Sequence, residues 1–168
     1  MPLGVWAQSK WIWGKESREL GANLEFSREF EPSGHAVSAR LQAVSDFSSL
    51  KVRLNGKLVG QSAEHGPLLD LDAAGRLFKG KNLVSISARS SGKAPAVGLR
   101  LDWTDSTGGR SALFTNEKWK VRGEKGDDQT IESFGSLTVE PWWNLPSLRV
   151  DSLDDYTQWK RASNAKEG

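Results

Sequence analysis

Acidic residues that lie close together in the chain are the first candidates for chemistry. Three aspartate pairs are separated by no more than two positions, Asp70/Asp72, Asp127/Asp128 and Asp154/Asp155. Glycoside hydrolysis needs two carboxyl groups facing each other across roughly 5 to 10 Å, and a sequence does not show which carboxylates face. Asp70 and Asp72 project from one side of an extended segment, where they and backbone oxygens could hold a calcium ion. A solvated strand end explains the same pair, so both interpretations stay open.

Other catalytic chemistries lack the residues that they need. The chain has no cysteine, which excludes disulfides, thiolate zinc sites, covalent haem attachment and cysteine nucleophiles. His35 and His65 both stand beside glycine in polar segments, so no histidine metal site is expected. There is no Gly-x-Ser-x-Gly elbow and no dinucleotide-binding fingerprint. We therefore expect no cofactor beyond a structural calcium.

Tryptophan is the unusual residue type, with eight copies against one tyrosine. Its broad ring fills a β-sandwich core or stacks on a sugar ring. Core packing is the simpler interpretation of Trp11, Trp13, Trp103 and Trp119. The adjacent pair Trp142-Trp143 differs, because neighbouring residues in a strand point to opposite faces. One of the two is expected to be exposed and to form a stacking platform for a pyranose ring.

Composition limits the remaining function classes. The chain has 168 residues, 37% hydrophobic and 26% charged, with a formal net charge of +2. This length fits one domain with its own core. The charges are spread along the chain, which argues against nucleic-acid binding. No apolar stretch is long enough for membrane insertion, and the first residues lack the charged and apolar regions of a signal peptide.

Alternation with a period of two dominates the chain and predicts strands. Residues 23–30 place Leu24, Phe26 and Phe30 on one face, while Arg28 interrupts that face and calls for a carboxylate partner. Asn55-Gly56 between two alternating segments predicts a two-residue hairpin. Further strands are predicted at residues 37–43, 68–71, 83–88, 97–103, 110–114, 119–121 and 137–139. Many short strands separated by turns predict an all-β antiparallel sandwich or barrel.

Several segments, taken in order, resemble the galactose-binding-like jelly-roll domains that accompany bacterial α-L-rhamnosidases and β-galactosidases. They are WIW at 11–13, FSREF at 26–30, VRLNGK at 52–57, LFKGKNL at 77–83, FTNEKWK at 114–120, and Gly135 followed by Pro141-Trp142. Asn116 departs from the related pattern, which usually has aspartate there. The resemblance implies an antiparallel β-sandwich of the jelly-roll type over residues 11–146. It leaves residues 1–10 as a lead-in.

In such jelly rolls the sugar usually lies on loops at one end of the sandwich, where charged and amide side chains hold its hydroxyls. The loop residues that the resemblance implies as ligands, beside Trp142 and Trp143, are Asp46, Arg53, Glu64, His65, Asp105 and Arg110.

Residues 147–168 differ in sequence pattern from the strand segments and are expected to form a C-terminal extension with a short helix. The segment 154–160 (DDYTQWK) looks like the connector after such a domain in large exported bacterial proteins that also carry dehydrogenase-like and c-type cytochrome domains. This resemblance implies a periplasmic or extracellular location and other domains of the same parent chain as partners.

The sequence thus predicts a non-catalytic carbohydrate-binding module that targets a larger protein to polysaccharide. Two alternatives stay open: a structural spacer between domains that binds no sugar, and a small hydrolase that uses one of the carboxylate pairs.

Overall fold

The computed structural model describes residues 9–64, 68–92 and 94–136. These ranges contain twelve strands and one turn of 3-10 helix, Ala74–Arg76. The strands are β1 (Lys10–Gly14), β2 (Asn23–Phe30), β3 (Ala36–Asp46), β4 (Leu50–Leu54), β5 (Lys57–Ser62), β6 (Leu69–Asp72), β7 (Asn82–Arg89), β8 (Ala96–Asp105), β9 (Arg110–Phe114), β10 (Lys120–Gly123), β11 (Asp128–Gln129) and β12 (Ile131–Ser136). Nothing in the described ranges is a helix long and apolar enough to cross a bilayer.

The strands form two antiparallel sheets. The front sheet has the order β12-β1-β8-β3-β6, with β9 paired to β8, and the back sheet has the order β11-β10-β2-β7-β4-β5. The chain passes from one sheet to the other at most of its connections, so neither sheet forms independently of the other. The prediction of an all-β antiparallel sandwich is confirmed. The predicted boundary at residue 146 and the C-terminal extension lie outside the described residues.

The inward residues of both sheets make one apolar core, as the alternating pattern requires. At one end of the core the Trp13 and Phe26 rings lie 5.6 Å apart, and at the other end the Phe30 and Trp103 rings lie 5.2 Å apart. Trp11 is also fully buried, and Trp119 is nearly so. The core interpretation of these four tryptophans is therefore confirmed.

The Asn55-Gly56 hairpin is confirmed and does more than connect β4 to β5. Both residues have positive φ, 53° and 82°, as the two-residue turn requires. The Asn55 amide donates hydrogen bonds to the Arg76 carbonyl (3.1 Å) and to Asn82 Oδ1 (2.8 Å), and its Oδ1 accepts one from the Leu83 N–H (2.9 Å). These hydrogen bonds connect the β4–β5 turn to the start of β7.

Two expectations need correction. Arg28 has a backbone partner where a carboxylate was expected, because its Nη1 donates to the Lys118 carbonyl at 3.0 Å. Strand β12 was not predicted, since its apolar residues Ile131 and Phe134 are three positions apart and break the period of two. It forms because β1 offers it a partner, with Lys10 opposite Ser136 and Gly14 opposite Ile131.

Candidate functional site

A groove of about 900 Å³ lies on the outer face of the front sheet. Its floor is the beginning of β3 and the second half of β8, where outward side chains alternate with core residues. One wall comes from the end of β6 and the helical turn after it, and the other wall is β9. We call it the front groove; its lining residues are Val37, Ser38, Ala39, Arg40, Asp72, Ala74, Arg100, Asp102, Trp103, Thr104, Arg110, Ser111, Ala112 and Phe114.

Strand register decides which polar residues meet there. Arg40 of β3 lies between Asp72 of β6 and Asp102 of β8, each its direct cross-strand partner. One step along the sheet, Arg100 of β8 lies opposite Phe114 of β9. Because side chains on directly opposite residues share a face, these five groups line one continuous surface.

Arg100 and Asp102 form the best-ordered pair in the front groove. Nε and Nη2 of Arg100 donate to the two carboxylate oxygens of Asp102, both at 2.6 Å. The Arg100 guanidinium carbon also lies 5.3 Å from the centre of the Phe114 ring, within the range of a cation–π contact. The Arg100 side chain is only 9% exposed and that of Asp102 is 32% exposed. The pair is held between a ring and the sheet, and the Asp102 side is the one open to a ligand.

A second pair stands at the β6 side of the front groove. Arg40 donates from Nε to Asp70 Oδ1 at 2.8 Å and from Nη2 to Asp70 Oδ2. Both side chains are partly exposed, so the pair contributes little to stability, at most about 1 kcal/mol. Its effect is geometric, because a two-point contact fixes the plane of the guanidinium.

Apolar surface completes the groove. Val37 is 56% exposed at its rim, and Phe114 and Ala112 are partly exposed on β9. Trp103 lines the groove although it is 92% buried, and among the described residues its Nε1–H has no hydrogen-bond acceptor. The front groove therefore combines fixed charged groups with aliphatic and aromatic surface.

The residues predicted as ligands are not gathered at one place. Asp105 and Arg110 flank the turn between β8 and β9, and Arg110 lines the front groove. Asp46 ends β3 opposite Ala96, at the far end of the sandwich from Asp105, which pairs with Ala36. Arg53 is on the back sheet, where it donates to the Ser87 hydroxyl at 3.1 Å. Glu64 follows β5. His65, Trp142 and Trp143 lie outside the described residues.

Asp105 is occupied by its own turn. Its Oδ1 accepts hydrogen bonds from the Thr107 hydroxyl (2.5 Å), the Thr107 N–H (2.9 Å) and the Gly109 N–H (2.9 Å). The hydrogen bond from the Thr107 side chain, followed by that from Gly109, lowers the pKa of Asp105 below 3.8. This carboxylate holds the turn that presents Arg110 to the groove.

The expected calcium ligands have protein partners in this structure. Asp70 binds Arg40, and Asp72 Oδ1 accepts a hydrogen bond from the Ala74 N–H at 3.1 Å, which begins the helical turn. In the part of the chain that the structure describes, no three histidine or acidic side chains are grouped as metal ligands. Calcium binding at Asp70 and Asp72 stays a prediction.

Four residues of the front groove, Arg40, Arg100, Asp102 and Phe114, were not among the predicted site residues. A usable signal existed in the alternation Arg100, Asp102, Thr104 between core residues Leu99, Leu101 and Trp103. That pattern identifies a row of outward polar residues on a central strand. The row can form a binding surface only if the outward residues of the neighbouring strands lie beside it.

The back sheet has a smaller recess of about 420 Å³, which we call the back recess. It is lined by polar and charged residues of β2, β4, β7 and the end of β10, including Glu25, Lys51, Ser87, Arg89 and Glu124. None of the described residues that line it is aromatic.

No protein-family profile matches this sequence, and no curated protein sequence is similar to it. Solved structures do share its fold. An α-L-rhamnosidase of Streptomyces avermitilis, complexed with L-rhamnose, has a TM-score of 0.72 at 17% identity, over 82% of this chain and 15% of the rhamnosidase. The apo lectin of Pleurotus ostreatus has a TM-score of 0.68 at 19% identity, over 84% of this chain and 45% of the lectin. The same lectin complexed with GalNAc gives 0.64 at 18% identity, with the same coverage.

At these identities the similarity establishes the fold alone. This chain is a β-sandwich domain whose fold also occurs within a rhamnosidase and in a lectin. It spans less than half the length of either of those proteins.

Proposed function

We propose that this domain is a non-catalytic carbohydrate-binding module and that the front groove is its binding site. The observation that carries the proposal is the Arg100–Asp102 pair held against the Phe114 ring. Sugars need this combination, because each ring offers hydroxyls that donate and accept hydrogen bonds and a C–H face that packs on apolar surface.

The charged pairs suit hydroxyl recognition because they are already ordered. A free carboxylate or guanidinium loses rotamer freedom when it binds a ligand, which weakens affinity. Asp102 and Arg40 are each fixed by two-point contacts with Arg100 and Asp70, so their remaining hydrogen-bonding positions stay aimed into the groove. The volume of about 900 Å³ is within the range of roughly 300 to 1,000 Å³ typical of small-molecule sites.

A hydrolytic role is less well supported by the same residues. Asp72 and Asp102 stand on opposite sides of Arg40, and glycoside hydrolysis uses two carboxyl groups that face each other. Both oxygens of Asp102 accept hydrogen bonds from Arg100, however, and Asp72 holds the Ala74 N–H. Neither is arranged to give a proton to a glycosidic oxygen, which favours binding without catalysis.

The structural neighbours support the proposal by analogy. One is a lectin solved with GalNAc, and another is a rhamnosidase solved with L-rhamnose, of which this fold is a small part. We further propose that the domain serves a larger exported protein and directs it to polysaccharide. A redox parent with cytochrome domains is the more specific form of that proposal, and secretion of the native chain with a downstream haem domain would test it.

The test is calorimetric titration of the domain with a panel of neutral and acidic oligosaccharides. Phe114→Ala and Asp102→Asn should each weaken binding of any ligand by roughly fivefold to a hundredfold, given about 1–3 kcal/mol for a stacking contact or a charged hydrogen bond. Lys51→Ala in the back recess is the control and should bind as the wild type does. Circular dichroism of each variant checks that the sandwich is intact.

Trp142→Ala and Trp143→Ala decide between the two candidate platforms. Loss of binding in either one, with Phe114→Ala unaffected, would move the site to the tryptophan pair. Absence of binding to every member of the panel would reject the proposal and favour the structural spacer. The exposed side chains of Leu20 and Phe78, at 75% and 58%, would then be the first candidates for contact with neighbouring domains.

A further inference from the structure

The three arginines of the front groove differ in how they are neutralised. Arg40 is paired with Asp70, and Arg100 is paired with Asp102. Arg110, at the start of β9, is exposed, and no carboxylate of the described chain lies within ion-pair distance of it. The nearest acidic residue in sequence, Asp105, accepts hydrogen bonds from Thr107 and Gly109 on its Oδ1 within the turn and forms no ion pair with Arg110. Arg110 therefore presents a positive charge that the groove itself does not neutralise.

Neighbouring donors surround this charge. Arg110 lies directly opposite Thr104, and Thr104 lies opposite Ser38 on β3. All three line the front groove, so a guanidinium and two hydroxyls form one cross-strand row on its surface. This corner of the groove therefore presents one positive charge and two hydroxyls that can donate hydrogen bonds to an anionic group.

The opposite wall has the complementary character. Asp72 lies two strands away from the β8–β9 side, separated from Asp102 by Arg40, and its exposed carboxylate meets the groove there. A ligand that lies across the strands thus meets a cationic corner at Arg110 and an anionic wall at Asp72. A negatively charged group on that ligand is attracted to one end and repelled by the other, which fixes its direction.

From this arrangement we infer that the front groove selects acidic saccharides of the uronic type, with the sugar carboxylate on Arg110. The inference rests on the proposed function and specifies its ligand class. The planar guanidinium fork matches a carboxylate in a two-point contact, and the Thr104 and Ser38 hydroxyls are the additional donors. Asp102 and Arg40 bind neutral hydroxyls of the same sugar, and the Phe114 ring packs on its C–H face.

The experiment compares trigalacturonate with its methyl ester by calorimetric titration of the whole chain. Esterification removes the charge and keeps the sugar, so the ester should bind about tenfold more weakly. Raising NaCl from 10 mM to 200 mM should weaken binding of the acid and leave that of the ester nearly unchanged, because salt screens only the charged contact. A trisaccharide of neutral sugars that carries three sulfate groups serves as the second anion and should bind less tightly than trigalacturonate.

Arg110→Gln should remove the preference for the acid, because it weakens binding of the acid more than binding of the ester. Arg110→Lys should restore part of the preference, and Arg110→Glu should reverse it. Arg122→Gln, an exposed arginine on β10 of the back sheet, is the matched control for loss of one positive charge and should behave as the wild type does.

The outcomes separate this inference from the proposed function. Equal binding of acid and ester, tighter binding of the sulfated sugar, or a preference for the acid that survives in Arg110→Gln would each overturn the inference. In those cases saccharide binding itself stands. If neither trigalacturonate nor its ester binds while a neutral oligosaccharide of the panel does, only the inference fails. If nothing in the panel binds, the proposed function fails with it.

Discussion

The outer faces of the two sheets follow the same alternation, yet they present different surfaces to a ligand. The front groove, of about 900 Å³, has an aromatic ring, an exposed valine and two charge pairs held at two points each. The back recess, of about 420 Å³, is lined by serines and mixed charges without an aromatic ring. Alternation decides which side chains point outward, but only the register of β6, β3, β8 and β9 brings rings and fixed charges together. A binding surface on a sandwich is thus a property of neighbouring strands, and no single strand contains it.

Among substitutions on the two outer faces, removal of Asp102 from the front sheet should lower the stability of the domain most. Asp102→Ala takes away both hydrogen bonds that Arg100, 9% exposed, makes with that carboxylate. We expect a loss of about 1.5–3 kcal/mol in the free energy of unfolding, less than for a fully buried pair because Asp102 is partly exposed. Urea denaturation measures it. The double variant Asp102→Ala/Arg100→Met should recover most of the loss, and a failure to recover would contradict this explanation.

The second largest difference between the two faces is expected in how stability depends on pH. Hydrogen bonds from the Thr107 side chain and Gly109 lower the pKa of Asp105 in the native state below 3.8. The unfolded chain, with the higher pKa, takes up the proton first as the pH falls. The contribution of Asp105 to stability is therefore full above about pH 5 and is lost as the pH falls through the lower native pKa.

Denaturation curves between pH 7 and pH 3 test this expectation. Asp105→Asn on the front sheet should flatten the fall in stability more than Asp128→Asn on the back sheet, which removes a carboxylate that is 90% exposed. Equal slopes in the two variants would contradict the role of the β8–β9 turn.

The smallest effect is expected on the back sheet itself. Arg122 and Asp128 form an exposed ion pair at 3.4 Å, with side chains 66% and 90% exposed. Asp128→Ala should change the free energy of unfolding by no more than about 0.5 kcal/mol and should leave saccharide binding unaltered. A change above about 1 kcal/mol would show that the back face is not the passive side of this comparison.

Sequence reasoning recovered the parts of the fold that local rules determine. The period of two located β2, β3, β7 and β8, and the positive φ required by Asn55-Gly56 identified the hairpin. It missed β12, whose pairing with β1 comes from a strand more than a hundred residues earlier in the chain. Local patterns do not encode such a distant partner.

The candidate site was harder to predict for the same reason. Asp46 and Asp105 look alike in sequence, each at the end of an apolar strand. Because β3 and β8 are antiparallel partners, the two aspartates lie at opposite ends of the sandwich. Arg110 was chosen as a loop residue and does line the front groove, whereas Arg53 belongs to the opposite sheet. Whether Arg110 binds a sugar stays a prediction.

The pairing of β1 with β12 has a mechanical consequence. Lys10 is opposite Ser136, so the two ends of the sandwich leave it side by side at the same edge of the front sheet. Tension applied through those ends loads the Lys10–Ser136 contact first and then each following pair in turn, up to Gly14 and Ile131, because the hydrogen bonds run perpendicular to the strands. A force applied at these ends therefore breaks the hydrogen bonds between β1 and β12 one after another. A much larger force is needed when all of these bonds are sheared at the same time.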